Sequence, residues 1–434
     1  MRHYGLRRGA ASRRTVAARP AAIRLGALAG GLAASLLLVS ACGGGGSAAP
    51  GDGGEATSAV PAAEVLGPVA KATGEPVRIG LISDGKSAIL DQSVEFEVGK
   101  AAARYLNEHR SGIAGRPIEL VTCEAQSDPS KTSDCANSMI EQDVVAVVVG
   151  GVAAQEAAWT PLHDAGVPTV LYSTSTPTLL RDAENTFVLA DSTFGTVGLP
   201  IELAKQAGVK KVTAVVIDVP AAKGVLEASA PAAYEKAGID FEMVAVAPGT
   251  ADMTPQMQQI AAGSGGVFIL GNDSFCISAL NGLRAVGFSG QISAIAQCIT
   301  DATRTAVPGD MLKGISLAAT APLGTDNPST QLYNAVAATY GKDIDTSKIA
   351  GINTFMAVAG LQAALEDLTG DVTPATVLAA IKAMQQKELP GGGGQRFQCG
   401  GKAVPASPAA CVSGGLITEL DDKGQPTTYE VAGA

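Results

Sequence analysis

The residues whose types best suit chemistry are Tyr172-Ser173-Thr174-Ser175-Thr176-Pro177-Thr178, a hydroxyl-dense loop directly after the apolar segment Thr169–Leu171. Its backbone N–H groups and Ser/Thr oxygens could hold a carboxylate or another polar head, although the same composition also suits a capped, solvated turn. Two further loops follow strand-like runs: Ser83–Asp91 and Gly150-Gly151-Val152-Ala153-Ala154-Gln155. In open parallel sheets ligands lie at the carboxyl ends of strands, where loops and helix N-termini converge. The three loops therefore outline half of a binding site rather than a reaction centre.

Catalytic patterns are weak by comparison. Beyond residue 41 the histidines are His109 and His163, and no G-x-S-x-G occurs, so a Ser-His-Asp arrangement has little to draw on. Gly391–Gly394 leads into Gln395-Arg396 rather than Lys-Ser/Thr, and Gly150-Gly151 lacks the third glycine of a dinucleotide fingerprint. His163, near a predicted helix end, reads as a solvated or capping residue, and Trp159 as a packing residue of a first-lobe helix. The expectation is a binding protein with no cofactor, not an enzyme.

Cysteine carries two separate signals. The run LGALAGGLAASLLLVSAC over 25–42 sets small residues before Cys42, with seven arginines and no acid in 1–41. Its apolar core of about 15 residues is short for a permanent span. It reads as a lipoprotein signal with Cys42 as the lipidated residue, against a cleaved secretory signal with a coincidental cysteine; Ser12-Arg13-Arg14 leaves twin-arginine export open. The six later cysteines form three local couples, and an even count in an exported chain favours Cys123–Cys135, Cys276–Cys298 and Cys399–Cys411. Zinc is the rival reading, but no C-x-x-C occurs and histidine is scarce, so no metal is expected.

Composition bounds the partners. Loss of residues 1–41 takes the formal charge from −10 to −17, which argues against nucleic acid and anionic headgroups as partners. No second apolar run approaches a span, so the processed chain is expected outside the cytoplasm, held to the cell membrane by lipid on Cys42. The length exceeds one comfortable core and predicts two domains.

The elements that must position these residues alternate. Val77–Ile82 reads as a strand, and Val94, Val98, Ala101, Ala102, Tyr105 and Leu106 mark an amphipathic helix with Glu95, Glu97, Lys100 and Arg104 on its other faces. Ile118–Val121, a helix near 130–142, and the continuous run Val144–Val149 follow. A second series contains a helix to about Gly208, Val212–Ile217, a helix to about Gly238, Met243–Val246 and Val267–Leu270. Continuous β-branched strands alternating with helices mean parallel α/β layers, here in two lobes. Residues 43–74, rich in Gly, Ala, Pro and Ser, read as a flexible tether.

With these elements in place the chain resembles the leucine/isoleucine/valine-binding family of type I periplasmic binding proteins, the receptors of branched-chain amino acid ABC importers. The matching stretches are Val77-Arg78-Ile79-Gly80-Leu81, Tyr105-Leu106-Asn107, Gly112–Ile118, Asp128-Pro129, the Val144–Gly150 strand, Leu283–Phe288 and Ile352–Leu368. The resemblance implies two Rossmann-like lobes with parallel sheets joined by three crossover strands, near Asp191–Ser192, Leu317–Thr320 and Pro390–Gln395. With the signal peptide over 1–41 and the tether over 42–75 read from the residues, the resemblance implies a first lobe of 76–191 with 319–389 and a second of 192–318 with 390–434. Carried over, Ser173 supplies backbone and Ser175 a hydroxyl, with Thr176 beside them. Ala153 and Ala154 fall where a serine is expected, and Leu90 near an expected aromatic. On the second lobe Asp218, Asn272, Asp273 and Gln297 are the candidates, with Asp218 or Asp273 able to pair a ligand ammonium. The implied function is capture of a small polar ligand and its delivery to an importer permease; the alternative is an anchored sensor signalling to a membrane partner.

Overall fold

The computed structural model describes residues 62–87, 91–263, 265–324 and 326–433. The leader, Cys42 and Leu90 lie outside them. A first lobe alternates β1 (Val77–Ser83), α2 (Val94–His109), β2 (Ile118–Glu124), α3 (Pro129–Glu141), β3 (Ala146–Val149), α4 (Gln155–Asp164), β4 (Thr169–Leu171), α5 (Pro177–Arg181) and β5 (Thr186–Val188), preceded by the short helix α1 (Ala62–Leu66). The strands form one sheet in the order β2-β1-β3-β4-β5, and every pairing is parallel. All four residues of β3 are buried, as a strand covered by helices on both faces requires.

The chain then crosses through a π-turn at Phe194–Gly198 into α6 (Leu199–Ala207), β6 (Lys211–Ile217), α7 (Pro220–Ala237), β7 (Asp240–Val246), α8 (Thr254–Ala261), β8 (Gly266–Leu270), α9 (Asp273–Ala285), β9 (Gln291–Ala294), α10 (Asp301–Ala306), α11 (Gly309–Leu312) and β10 (Ser316–Ala319). Helices α6 and α7 stop at Gly208 and Gly238, both left-handed, where glycine escapes the Cβ penalty. The chain returns to the first lobe for α12 (Pro328–Tyr340), α13 (Ile349–Ala364), α14 (Pro374–Ala383) and the small hairpin β11 (Lys387–Glu388) with β12 (Arg396–Phe397), and ends in β13 (Gly415–Leu420) and β14 (Pro426–Ala432). The second sheet runs β14-β13-β10-β9-β8-β6-β7. It is parallel from β7 to β10 and antiparallel at β13 and β14.

Three expectations differ from this arrangement. Folded structure begins before residue 76: Leu66 is buried, and the amides of Ala70 and Ala72 donate to Glu108 and Asn107 carbonyls at 2.8 and 2.7 Å, laying this stretch on α2. The last crossing is not at 390–395. Residues 396–412 stay with the first lobe, because Val188 exchanges backbone hydrogen bonds with Ala409 and Cys411 (both 2.8 Å) and Phe397, Cys399 and Val412 join the first-lobe core. The chain crosses only between Val412 and β13. Glu95, expected on a solvated face of α2, is buried.

The three expected cysteine couples are bonded, with Cα–Cα distances of 5.6, 5.3 and 4.2 Å. Cys123–Cys135 joins β2 to α3, and Cys276–Cys298 joins α9 to the turn after β9. Cys399–Cys411 closes the segment on the first-lobe edge.

Candidate ligand site

At the carboxyl ends of β1, β3 and β4, the first lobe holds a cavity of about 410 Å³. Asp84 enters from the end of β1, Gly150, Gly151 and Ala153 from the loop after β3, Tyr172 and Ser173 from the loop after β4, and Asn353 and Thr354 from α13. Helix α13 is apolar on almost every side and buried for twelve of its sixteen residues, so this polar pair stands out from its sequence.

Two buried carboxylates organise the loops. Glu95 accepts hydrogen bonds from Ser83 Oγ and from the Gly151 amide, at 2.9 and 3.0 Å to its two oxygens. Burial pushes its carboxyl above the ordinary range, and nearby Asp84 adds to this. Asp84 accepts from the Ser127 amide and hydroxyl at 3.0 and 2.8 Å and from the Ala153 amide at 3.0 Å. Glycine leaves room where the backbone passes these side chains: a Cβ on Gly150 would stand 2.6 Å from a Glu95 oxygen, and one on Gly151 would stand 1.8 Å from the amide end of Gln92. Asn353 Oδ1 is buried and accepts no hydrogen bond.

The structure sorts the sequence-derived candidates. Ser173 lines the cavity, and its carbonyl accepts from Gln155 Nε2 at 3.3 Å. Thr174, not singled out from sequence, is buried and donates to Gln155 Oε1 at 2.7 Å, fixing both loops. Ser175 is exposed, Thr176 precedes α5 and Ala154 precedes α4; these three lie beside the cavity rather than in its lining. On the second lobe all four candidates follow parallel strands. Asp218 pairs with Lys223 at 2.6 Å. Asn272 caps α9 by accepting from the Phe275 amide at 3.0 Å, Asp273 accepts from Thr300 Oγ1 at 3.4 Å, and the Cys276–Cys298 bond holds the Asn272 and Gln297 loops together.

Gln297 reaches a second cavity of about 250 Å³ at the crossings, with Asp191, Phe194, Thr320 and Gln395. Tyr172 lines both cavities and donates from its hydroxyl to the Thr320 carbonyl at 3.2 Å. Asp191 ties the first crossing to the third by accepting from the Gly414 amide at 3.2 Å. Trp159 and His163 stand apart from both: they stack at 4.5 Å, Trp159 Nε1 donates to Thr186 at 2.7 Å, and His163 bonds Asn185 at 2.7 Å.

Asp84, Glu95, Gln92 and Asn353 are the residues that sequence reasoning missed. Asp84 fell within a loop already singled out, and Asn353-Thr354 interrupts an apolar helix, a signal that was readable. Glu95 left none, since a glutamate beside Glu97 on an amphipathic helix reads as solvated.

Two mainly parallel sheets in one chain, crossed three times, with cavities at the strand ends and at the crossings, define the two-lobed type I ligand-binding fold. The chain belongs to the periplasmic binding protein family, whose profile matches residues 76–415. It is 26% identical over 196 residues to a Leu/Ile/Val-binding protein homologue of Brucella abortus, a match covering 44% of this chain and 50% of the relative. The chain thus spans about half the length of the curated relatives it matches. Among solved structures it resembles one from Rhodospirillum rubrum assigned to a branched-chain amino acid ABC transporter (17% identity, TM-score 0.68, 82% of this chain and 100% of that one). It also resembles a solute-binding protein of an ABC transporter from Rhodopseudomonas palustris in complex with p-hydroxybenzoic acid (18% identity, TM-score 0.59, 83% and 98%).

Proposed function

We propose that this chain is a lipid-anchored solute-binding protein that captures a small polar ligand, an amino acid or related compound, between its lobes and presents it to the permease of an ABC importer. The observation that carries the reading is the first-lobe cavity: three strand-end loops and α13 converge on it, and Tyr172 links its wall to the second crossing. Family membership supports capture as the activity, and the solute-binding character of the relatives supports a role without catalysis. In this reading Ser173, with Ser175, Thr176 and Ala154 at the rim, forms the first-lobe half, and Asp218, Asn272, Asp273 and Gln297 engage when the lobes close. Among the described residues no helix is long and apolar enough to cross a membrane.

Thermal-shift screening of the full chain against amino acids, amides, urea, short carboxylates and aromatic acids tests the reading. A true ligand at 100 times its dissociation constant adds about 2.7 kcal/mol of stability, and Gln297→Ala should weaken it. A screen in which no small polar compound moves the melting temperature contradicts capture.

A further inference from the structure

We infer that the C-terminal strand β14 is a clasp behind the crossings: it holds the cleft open, and closure on any ligand must release it. The inference rests on the capture reading and adds to it a control on closure that lies outside the binding site. Sheet order sets the lever. In the second sheet Asp218, Asn272 and Gln297 follow β6, β8 and β9, which lie on one side of β10 and β13. The second crossing leaves β10, the third enters β13, and β14 is the strand beyond them. In the first sheet the cavity lies at the ends of β1, β3 and β4, and the first crossing leaves beyond the edge strand β5. A hinge turn about the crossings that brings the loops of β6, β8 and β9 toward the first lobe therefore swings β14 away from it. The arrangement is the open one: the residues that line the first-lobe cavity all belong to that lobe, and Asp218, Asn272 and Asp273 bond within their own.

Although β14 belongs to the second sheet, its hairpin with β13 touches the first lobe behind the crossings. Tyr429 donates from its hydroxyl to the Leu323 carbonyl at 3.3 Å. Leu416 of β13 packs at the turn between β11 and β12, where a Cβ on Gly393 would stand 3.1 Å from both Leu416 and Pro322. Val431 lies against the next glycine of that turn, 3.7 Å from where a Gly394 Cβ would stand. The first-lobe side of the clasp is fixed. Thr330 of α12 donates to the Pro322 carbonyl at 2.6 Å, the Gly393 amide donates to Ser329 Oγ at 3.0 Å, and Leu389 belongs to the first-lobe core. The end of β14 is pinned to the third crossing, where Ser413 Oγ donates to the Gly433 carbonyl at 3.1 Å. Tyr429, Leu416 and Val431 line neither cavity of the site. Closure gives up their contacts, and apparent affinity falls with the fraction of molecules able to close. Loosening the clasp should therefore tighten binding, the reverse of removing a ligand contact.

Calorimetry on the full chain with leucine, glutamine, urea and benzoate as probes, wild type beside the double variant Tyr429→Phe/Val431→Ala, tests the clasp. A probe that binds is expected to do so about two- to tenfold more tightly in the variant, the scale of a neutral hydrogen bond. Should the double variant lose its cooperative melting, Tyr429→Phe alone, which deletes one oxygen, carries the same comparison. Small-angle scattering of the unliganded chain gives a reading that needs no probe. Val431 is 41% exposed, so Val431→Trp can enter at Gly394, wedge the back of the hinge apart and lower the radius of gyration. Equal or weaker binding in the loosened variant, or an unchanged radius of gyration in Val431→Trp where no probe binds, overturns the clasp and leaves capture standing. A wild type that binds none of the probes and no compound of the wider screen overturns capture, and the scattering of Val431→Trp then decides the clasp by itself.

Discussion

Glu95 shows how a single side chain decides the local structure of the site. The loop after β3 crosses the end of α2 as two glycines, and a buried amide needs an acceptor; the carboxylate beneath supplies it and in turn is removed from water. Because burial raises its carboxyl above the ordinary value of 4.5, the folded state holds that proton more tightly than the unfolded chain does. The resulting stabilisation is complete below about 4.5 and is lost as pH rises through the higher folded value. Glu95→Gln, which keeps the shape and lacks the titration, should therefore gain on the wild type as pH rises across that window. Urea melts in a pH series check this, and parallel curves for the two proteins would contradict it. At this scale the sequence was a partial guide: the polar loop read after a parallel strand does bring Ser173 to the cavity wall, but the burial of Glu95 depends on a loop more than fifty residues away.

The elements were legible where their own residues bury them. Val77–Ile82 and Val144–Val149 announced parallel strands because both faces are covered, and α2 announced itself through a stripe that the structure buries at Val98, Ala101, Ala102, Tyr105 and Leu106. The three-residue β5 and the segment 396–412 were not legible. The latter holds its place through backbone hydrogen bonds to Val188 and a disulfide, neither of which leaves a hydrophobic period. The three disulfides close loops of 12, 22 and 12 positions, and the chain-entropy account gives about 3 kcal/mol for a loop of about 15 residues. Reduction should lower the melting temperature, and removal of the Cys276–Cys298 pair by double serine substitution should in addition weaken ligand binding by freeing the Asn272 and Gln297 loops. Peptide mapping with and without reductant checks the connectivity; links between couples would refute it.

On the scale of the whole molecule, the proposed function needs an anchor, two lobes and a hinge. In the proposed reading lipid on Cys42 is the anchor, so Cys42→Ala should release or misprocess the protein, read by membrane fractionation; unchanged sedimentation with membranes would contradict the lipid attachment. The hinge of this reading would be the three crossings, where Tyr172 bonds Thr320 and Asp191 bonds Gly414. The second-lobe candidates stand at their own strand ends, and in the proposed reading they reach a ligand when the lobes approach. Closure is therefore the central claim, and small-angle X-ray scattering of the full chain, with and without a saturating compound found by thermal shift, tests it most directly. The account predicts a smaller radius of gyration with ligand, following the binding isotherm. Saturable binding with an unchanged scattering curve would show that the first-lobe cavity works alone and would contradict capture between two lobes.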